Sequence, residues 1–170
     1  MAFSLPSDLP TNVVDDSTTV DAAFFNNLSG MGNALKAAIG TFGFGSRSAY
    51  VATAESTNST SYTDLTTTTD QVSVTIGSSG MALVTIKSDI SCANNYALVG
   101  YALSGANTVA ASDSKAIQFS CQYGSNRLGV LSATFLETGL TAGLTTFKLK
   151  YTSNSTSNTF NYDQRIIADD

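Results

Sequence analysis

From about residue 50 onward the chain repeats one pattern, short runs of alternating apolar and polar residues closed by turns rich in Gly, Ser and Asn. VSVTI at 72–76 and TTFKLKY at 145–151 alternate cleanly, which turns one face of each strand to a core and the other to solvent. The candidate strands are Tyr50–Glu55, Ser61–Leu65, Val72–Ile76, Ala82–Ile90, Tyr96–Leu103, Ala116–Tyr123, Leu128–Leu136, Thr145–Tyr151 and Asn158–Ile167. Turn signals separate them at Gly77–Gly80, Ser104–Asn107, Gly124–Asn126, Thr138–Gly143 and Ser153–Ser157. Eight or nine short strands at this spacing, with no helix among them, predict an antiparallel β-sandwich of jelly-roll type. The fold class is mainly β: an N-terminal extended arm and one α-helix, followed by the sandwich.

The helix is expected over Thr18–Gly40, TTVDAAFFNNLSGMGNALKAAIG. Val20, Phe24, Leu28, Met31, Leu35 and Ala38 follow one another at spacings of four, four, three, four and three, which makes one apolar stripe with the seam spacing of a coiled coil. Thr18 is placed to cap the N-terminus with Asp21 in the capping-box position, and Lys36 and Gly40 suit the C-terminal end. Gly30 and Gly32 weaken the interior by about 1 kcal/mol each, so the helix needs a partner. Before it, residues 1–17 read as an extended arm, because Pro6 and Pro10 disfavour helix at Leu5 and Leu9. The arm's Phe3, Leu5 and Leu9 suit docking on another surface, its own domain or a neighbour, with a frayed terminus as the alternative. Residues 41–49, with Gly43 and Gly45, read as a joint, and the sandwich domain is assigned to 50–170.

Composition narrows the function. Charged residues make up only 12% of the chain, so Ser, Thr, Asn and Gly must carry solubility. A net charge of −5 with scattered basic residues disfavours nucleic acid, whose phosphates need clustered Lys and Arg. Lys148 and Lys150 point to the same side of their strand, as a solvated face would place them. No apolar run approaches the length of a membrane span, and MAFSLPSDLP lacks the basic and apolar regions of a signal peptide. Synthesis in the cytoplasm without membrane insertion is expected.

Signals for chemistry are sparse. Histidine is absent, which removes the commonest general base and metal ligand. Glu55, Asp64, Asp70, Asp89, Asp113, Glu137 and Asp163 fall mostly at strand ends or turns, where carboxylates commonly bond nearby backbone. No calcium-loop motif is present, and Asp15-Asp16 and Asp169-Asp170 lie in terminal segments. No catalytic residue, metal or cofactor is expected. Cys92 and Cys121 permit one bridge, but with no short motif to support pairing, two buried thiols are the favoured expectation. A glycan-binding module would need exposed aromatics. Tyr96, Tyr101, Tyr123, Tyr151 and Tyr162 read instead as core or half-buried sheet residues.

The opening SLPSDLPTNVVDDSTTVDAAFFNNLSGMGNALKAAI resembles the N-termini of small virion structural proteins of tailed bacteriophages, especially those infecting actinobacteria. SYTDLTTTTDQVSVTIGSSGMALVTIKSDI, GYALSGANTVAASD and LETGLTAGLTTFKLKYTSNSTSNTFNYDQRIIAD resemble the β-sandwich of phage head-decoration, head-fibre and minor tail proteins. The resemblance implies a non-enzymatic part of the virion, often a homotrimer, anchored by its N-terminal segment with the sandwich projecting outward. The implied partners are other copies of the chain and the major capsid or tail proteins, with a host-surface glycan as the alternative for a protein on the tail. With a single sandwich and no receptor-binding repeat, a compact decoration is expected over a long fibre.

Overall fold

The computed structural model describes residues 27–34, 47–92, 94–121, 127–157 and 159–169. The chain divides into two compact units, Met1–Ala38 and Ile39–Asp170. In the first, residues 27–34 form a helix, α1, whose residues are all exposed. The rest of the expected helix, its caps and the arm lie outside the described residues.

The second unit is built of nine strands: β1 (Arg47–Val51), β2 (Glu55–Thr57), β3 (Gln71–Ile76), β4 (Ala82–Cys92), β5 (Asn95–Gly105), β6 (Ala116–Cys121), β7 (Arg127–Glu137), β8 (Gly143–Ser153) and β9 (Phe160–Asp169). One sheet has the order β1-β9-β4-β7, and β2 joins β9 beyond the end of β1. The other runs β3-β8-β5-β6. All named pairings are antiparallel. With β1 and β2 counted as one interrupted edge, this eight-strand order is that of a jelly roll, as the turn spacing predicts.

The alternation becomes burial. Val72, Val74 and Ile76 of β3 face inward between more exposed neighbours, and Val84, Ile86 and Ile90 of β4 face inward from the opposite sheet between exposed or half-buried ones. They meet Val99, Phe147, Leu149 and Tyr151 in one continuous core. Where β7 passes Phe119, a glycine is required. A Cβ on Gly129 would lie 2.4 Å from the Phe119 ring.

Three expectations are corrected. Ser61–Leu65 is not a strand: Thr63 makes a single bridge to Tyr151, because β8 there pairs with an irregular segment that exchanges only scattered bonds with it. The first predicted strand divides into β1 and β2, and β1 takes in Arg47, Ser48 and Ala49, which the glycine content had assigned to a joint. Cys92 and Cys121 form a disulfide, with Cα atoms 5.8 Å apart. The bridge ties the end of β4 in one sheet to the end of β6 in the other, a proximity that only the folded topology creates.

β9 contains an irregularity that matters for the interior. Phe160 and Tyr162 point inward, and so do Arg165 and Ile167, although Tyr162 and Arg165 are three positions apart. The extra residue sits opposite Lys87–Asp89 of β4, where the register shifts, and Gln164 takes φ 46°. This β-bulge reverses the alternation and turns the Arg165 side chain into the core.

Candidate functional site

Leu28 and Met31, three positions apart, share one face of α1 and are 55% and 39% exposed. A Cβ added to Gly30 or Gly32 would meet nothing within 4 Å. Among the described residues of this helix, the apolar face is open. Val20, Phe24, Leu35 and Ala38 of the predicted seam, and Phe3, Leu5 and Leu9 of the predicted arm, lie outside the described residues.

The sandwich holds two polar clusters. The inner one centres on Arg165, which is fully buried. Its Nη2 donates to Glu55 Oε2 at 2.5 Å and to the Thr53 carbonyl at 3.3 Å. Its Nη1 lies 3.6 Å from Asp70 Oδ2, and the guanidinium stands 5.4 Å from the centre of the Tyr151 ring. The Tyr151 hydroxyl donates to Asp70, and Thr67 donates to Glu55 through both its backbone N–H and its hydroxyl. Burial raises the Asp70 carboxyl above its ordinary range, outweighing the Tyr151 hydrogen bond and the Arg165 charge. Burial would also raise Glu55, but the hydrogen bonds from Thr67 and Arg165 prevail and hold it below its ordinary value. The cluster fastens the irregular 52–70 segment to the core.

The outer cluster lies on the solvent face of the β3-β8-β5-β6 sheet. Tyr96, Leu98 and Gly100 of β5 alternate onto this face. The segment before β3 runs alongside β8, held by Thr63–Tyr151 backbone bonds and by Ser153 N–H donating to the Ser59 carbonyl at 2.8 Å. Tyr62 is thereby laid over Gly100, where a Cβ would come within 3.2 Å of the ring, so glycine gives the ring its seat. The Tyr62 hydroxyl donates to Asp113 Oδ1 at 3.0 Å. Burial, and then the neighbouring Asp113 carboxylate, push the Tyr62 phenol up, which keeps it protonated and donating. At the other end Asn154 Oδ1 accepts from the Tyr96 N–H at 2.9 Å, and the Asn154 N–H donates to the Tyr96 carbonyl at 3.2 Å. Between these groups lies a cleft of about 250 Å³ with buried Leu98 among its lining residues. Lys148 and Lys150 occupy the same sheet, both paired to Asp64, at 3.1 and 2.7 Å.

Several sequence expectations meet the structure here. Tyr101, Tyr151 and Tyr162 are buried as the strand pattern predicts, while Tyr96 is 36% exposed at the cleft. The carboxylates that would have to converge in a hydrolase each have a separate partner. Glu137 accepts from Tyr101 at 2.5 Å and pairs with Lys115, Asp113 accepts from Tyr62, and Asp163 accepts from the Gln164 N–H. Among the described residues no three or more Asp, Glu, Cys or His side chains cluster as metal ligands would, and no helix is long and apolar enough to cross a membrane.

The cleft itself was hidden from pattern reading. Tyr62, Tyr96, Asp113 and Asn154 come from four separate stretches of chain, and only the pairing of 59–63 with β8 brings them together. No protein-family model matches the sequence, and no curated protein matches it closely enough to count as a relative. What the fold defines is a jelly-roll β-sandwich preceded by a separate unit that carries an exposed helical face.

Proposed function

We propose that this chain is a non-enzymatic surface protein of a bacteriophage virion. In this reading it is a capsid decoration or head-fibre protein, held to the particle by its N-terminal arm and helix, with the sandwich facing outward. Its partners are other copies of itself, as a trimer, and the major capsid or tail proteins. A place among minor tail proteins is the variant of the same reading. The observation that carries it is the exposed apolar face of α1, where Leu28 and Met31 are 55% and 39% exposed. Burial of such a face gains about 25 cal/mol per Å² before association costs.

Two further features support the reading. The outer face of the β1-β9-β4-β7 sheet exposes several large apolar side chains. Leu83 and Leu136 are cross-strand neighbours, and both are exposed together with Leu128 and Val130 on the edge strand β7. The Cys92–Cys121 bridge suits a protein that serves outside the reducing cytoplasm, as a particle released from its host does. Jelly rolls recur in viral shells and also in lectins, so the fold by itself selects neither.

The test is to replace Leu28 and Met31 together by Asp. The wild-type chain is expected to be an oligomer by light scattering after gel filtration, and the double variant a monomer that particles no longer incorporate. Unchanged molar mass together with unchanged incorporation sinks the proposal.

A further inference from the structure

We propose that the cleft framed by Tyr62, Tyr96 and Asn154 binds a single ring of a neutral hexopyranose. The inference concerns the sandwich alone and does not rest on the particle reading.

Three properties of the cleft point to a sugar. The first is its pairing of aromatic and apolar surface with amide and hydroxyl groups. A pyranose presents C–H groups on its ring faces and hydroxyls around its rim. Tyr96 offers exposed ring surface at one end, Tyr62 forms the other wall, and Leu98 lies between them on the same face of β5. The Asn154 side chain uses its Oδ1 on the Tyr96 N–H, and its NH₂ group has no partner among the described residues. That leaves a fixed donor at the rim. Asp113 accepts from Tyr62 through Oδ1, and its Oδ2 has no hydrogen-bond donor among the described residues, an acceptor for a sugar hydroxyl.

The second property is size. The cleft's volume of about 250 Å³, just below the roughly 300–1,000 Å³ range of sites for drug-sized molecules, has room for one ring. The third is charge. Asp113 is the single ionisable carboxylate on the lining, and the nearby Lys148 and Lys150 are both paired to Asp64. A neutral ring is accepted. A uronic acid or a phosphate meets a carboxylate with no cation to balance it.

The rim is also held in place before any ligand arrives. Asn154 is fixed by two bonds to the Tyr96 backbone, and the Tyr62 ring by its seat over Gly100 and by Asp113. Little ordering remains to be done on binding.

The experiment is saturation-transfer difference NMR on the full chain. The probes are methyl glycosides of glucose, galactose, mannose and N-acetylglucosamine at millimolar concentration, with methyl glucuronide as the anionic arm. Transfer to at least one neutral glycoside, and weaker transfer to the glucuronide, is expected. Tyr96→Ala should abolish the signal. Asn154→Asp keeps the acceptor for the Tyr96 N–H and deletes the donor, so it preserves the loop and should weaken binding about tenfold, the order of one lost hydrogen bond. No transfer to any neutral glycoside, preferred binding of the glucuronide, or full transfer in a folded Asn154→Asp variant would overturn the assignment.

Discussion

The sandwich uses one chemical pair, a tyrosine hydroxyl donating to an aspartate, in two different settings. Tyr151 and Asp70 form it inside the core, and Tyr62 and Asp113 form it at the rim of a cleft. Inside, both partners are sealed and a buried arginine stands beside them, so every polar atom must be matched within the protein or remain a liability. Two Arg165 nitrogens, Nε and Nη1, have no hydrogen-bond partner among the described residues. At the rim, water can complete any valence the protein leaves open, and a ligand can replace that water. The same pair therefore acts as a fastening in one place and as part of a receptive surface in the other. Exposure to water decides which.

The largest test of this contrast is Arg165→Met. It leaves buried Asp70 and half-buried Glu55 without their counter-charge, and removing one partner of a buried ion pair costs about 3–5 kcal/mol. Urea unfolding should show the midpoint falling accordingly, with glycoside binding retained wherever the variant is still folded. A loss below about 1 kcal/mol, the range of surface pairs, would mean that the cluster is not the fastening described here.

Next in size is the disulfide, which lies between the two regions. Asn95 pairs with Cys121, so the bridge borders the strand start that carries Tyr96. Closing a loop with a sequence separation of 29 is worth about 3–4 kcal/mol by the chain-entropy account. Cys92→Ala with Cys121→Ala should lower stability by that amount, or nearly so, in urea titrations. An unchanged midpoint would show that the sheets are held together at that end without it.

How much of this was legible in the sequence differs between the same two regions. Alternation alone located β3, β4 and β8 and their inward residues, because a half-buried strand writes its burial directly into the order of residues. The inner cluster was only half legible. Phe160, Tyr162 and Ile166 fall at even spacing, so plain alternation would send Ile166 inward, and only the structure shows that Ile167 takes that place. The inward facing of Phe160 and Tyr162 was available. The identity of Arg165's partners was not, since Glu55 opens the three-residue strand β2 and Asp70 directly precedes β3, and no periodicity marks either position. The cleft left no periodic trace at all. Its members occupy a loop, a strand, a 3₁₀ turn and the end of another strand, and their adjacency arises from long-range pairing. The disulfide escaped for the same reason: Cys92 and Cys121 end strands in different sheets.

A pH series sharpens the inner half of the comparison, because Glu55 and Asp70 are displaced in opposite directions. The Glu55 value in the fold lies below its ordinary 4.5, so its stabilisation is present above that pH and is lost as pH falls through the folded value. The Asp70 value lies above its ordinary 3.8, so its contribution is full below that pH and is lost as pH rises through the folded value. Stability should be measured for the wild type, Glu55→Gln and Asp70→Asn from neutral to about pH 3. The deficit of Glu55→Gln should grow with rising pH, and that of Asp70→Asn should shrink. Parallel curves would mean that the two carboxylates are not distinguished by their surroundings.

The smallest effect belongs to the rim, and its smallness is the point. Tyr62→Phe removes the hydroxyl that Asp113 accepts but keeps the ring over Gly100, so the wall of the cleft stays in place. Asp113 is exposed and can take a water in exchange, so the loss should not exceed about 1 kcal/mol. The corresponding Tyr151→Phe strands Asp70 beside Arg165 with no water to replace the hydroxyl, and should cost more, about 1–3 kcal/mol. The informative quantity is the difference between the two variants. If both lose the same stability, water does not separate the two clusters. If Tyr62→Phe loses more, the rim is holding the 58–65 segment in place, and Asp113 is a structural anchor more than an open acceptor.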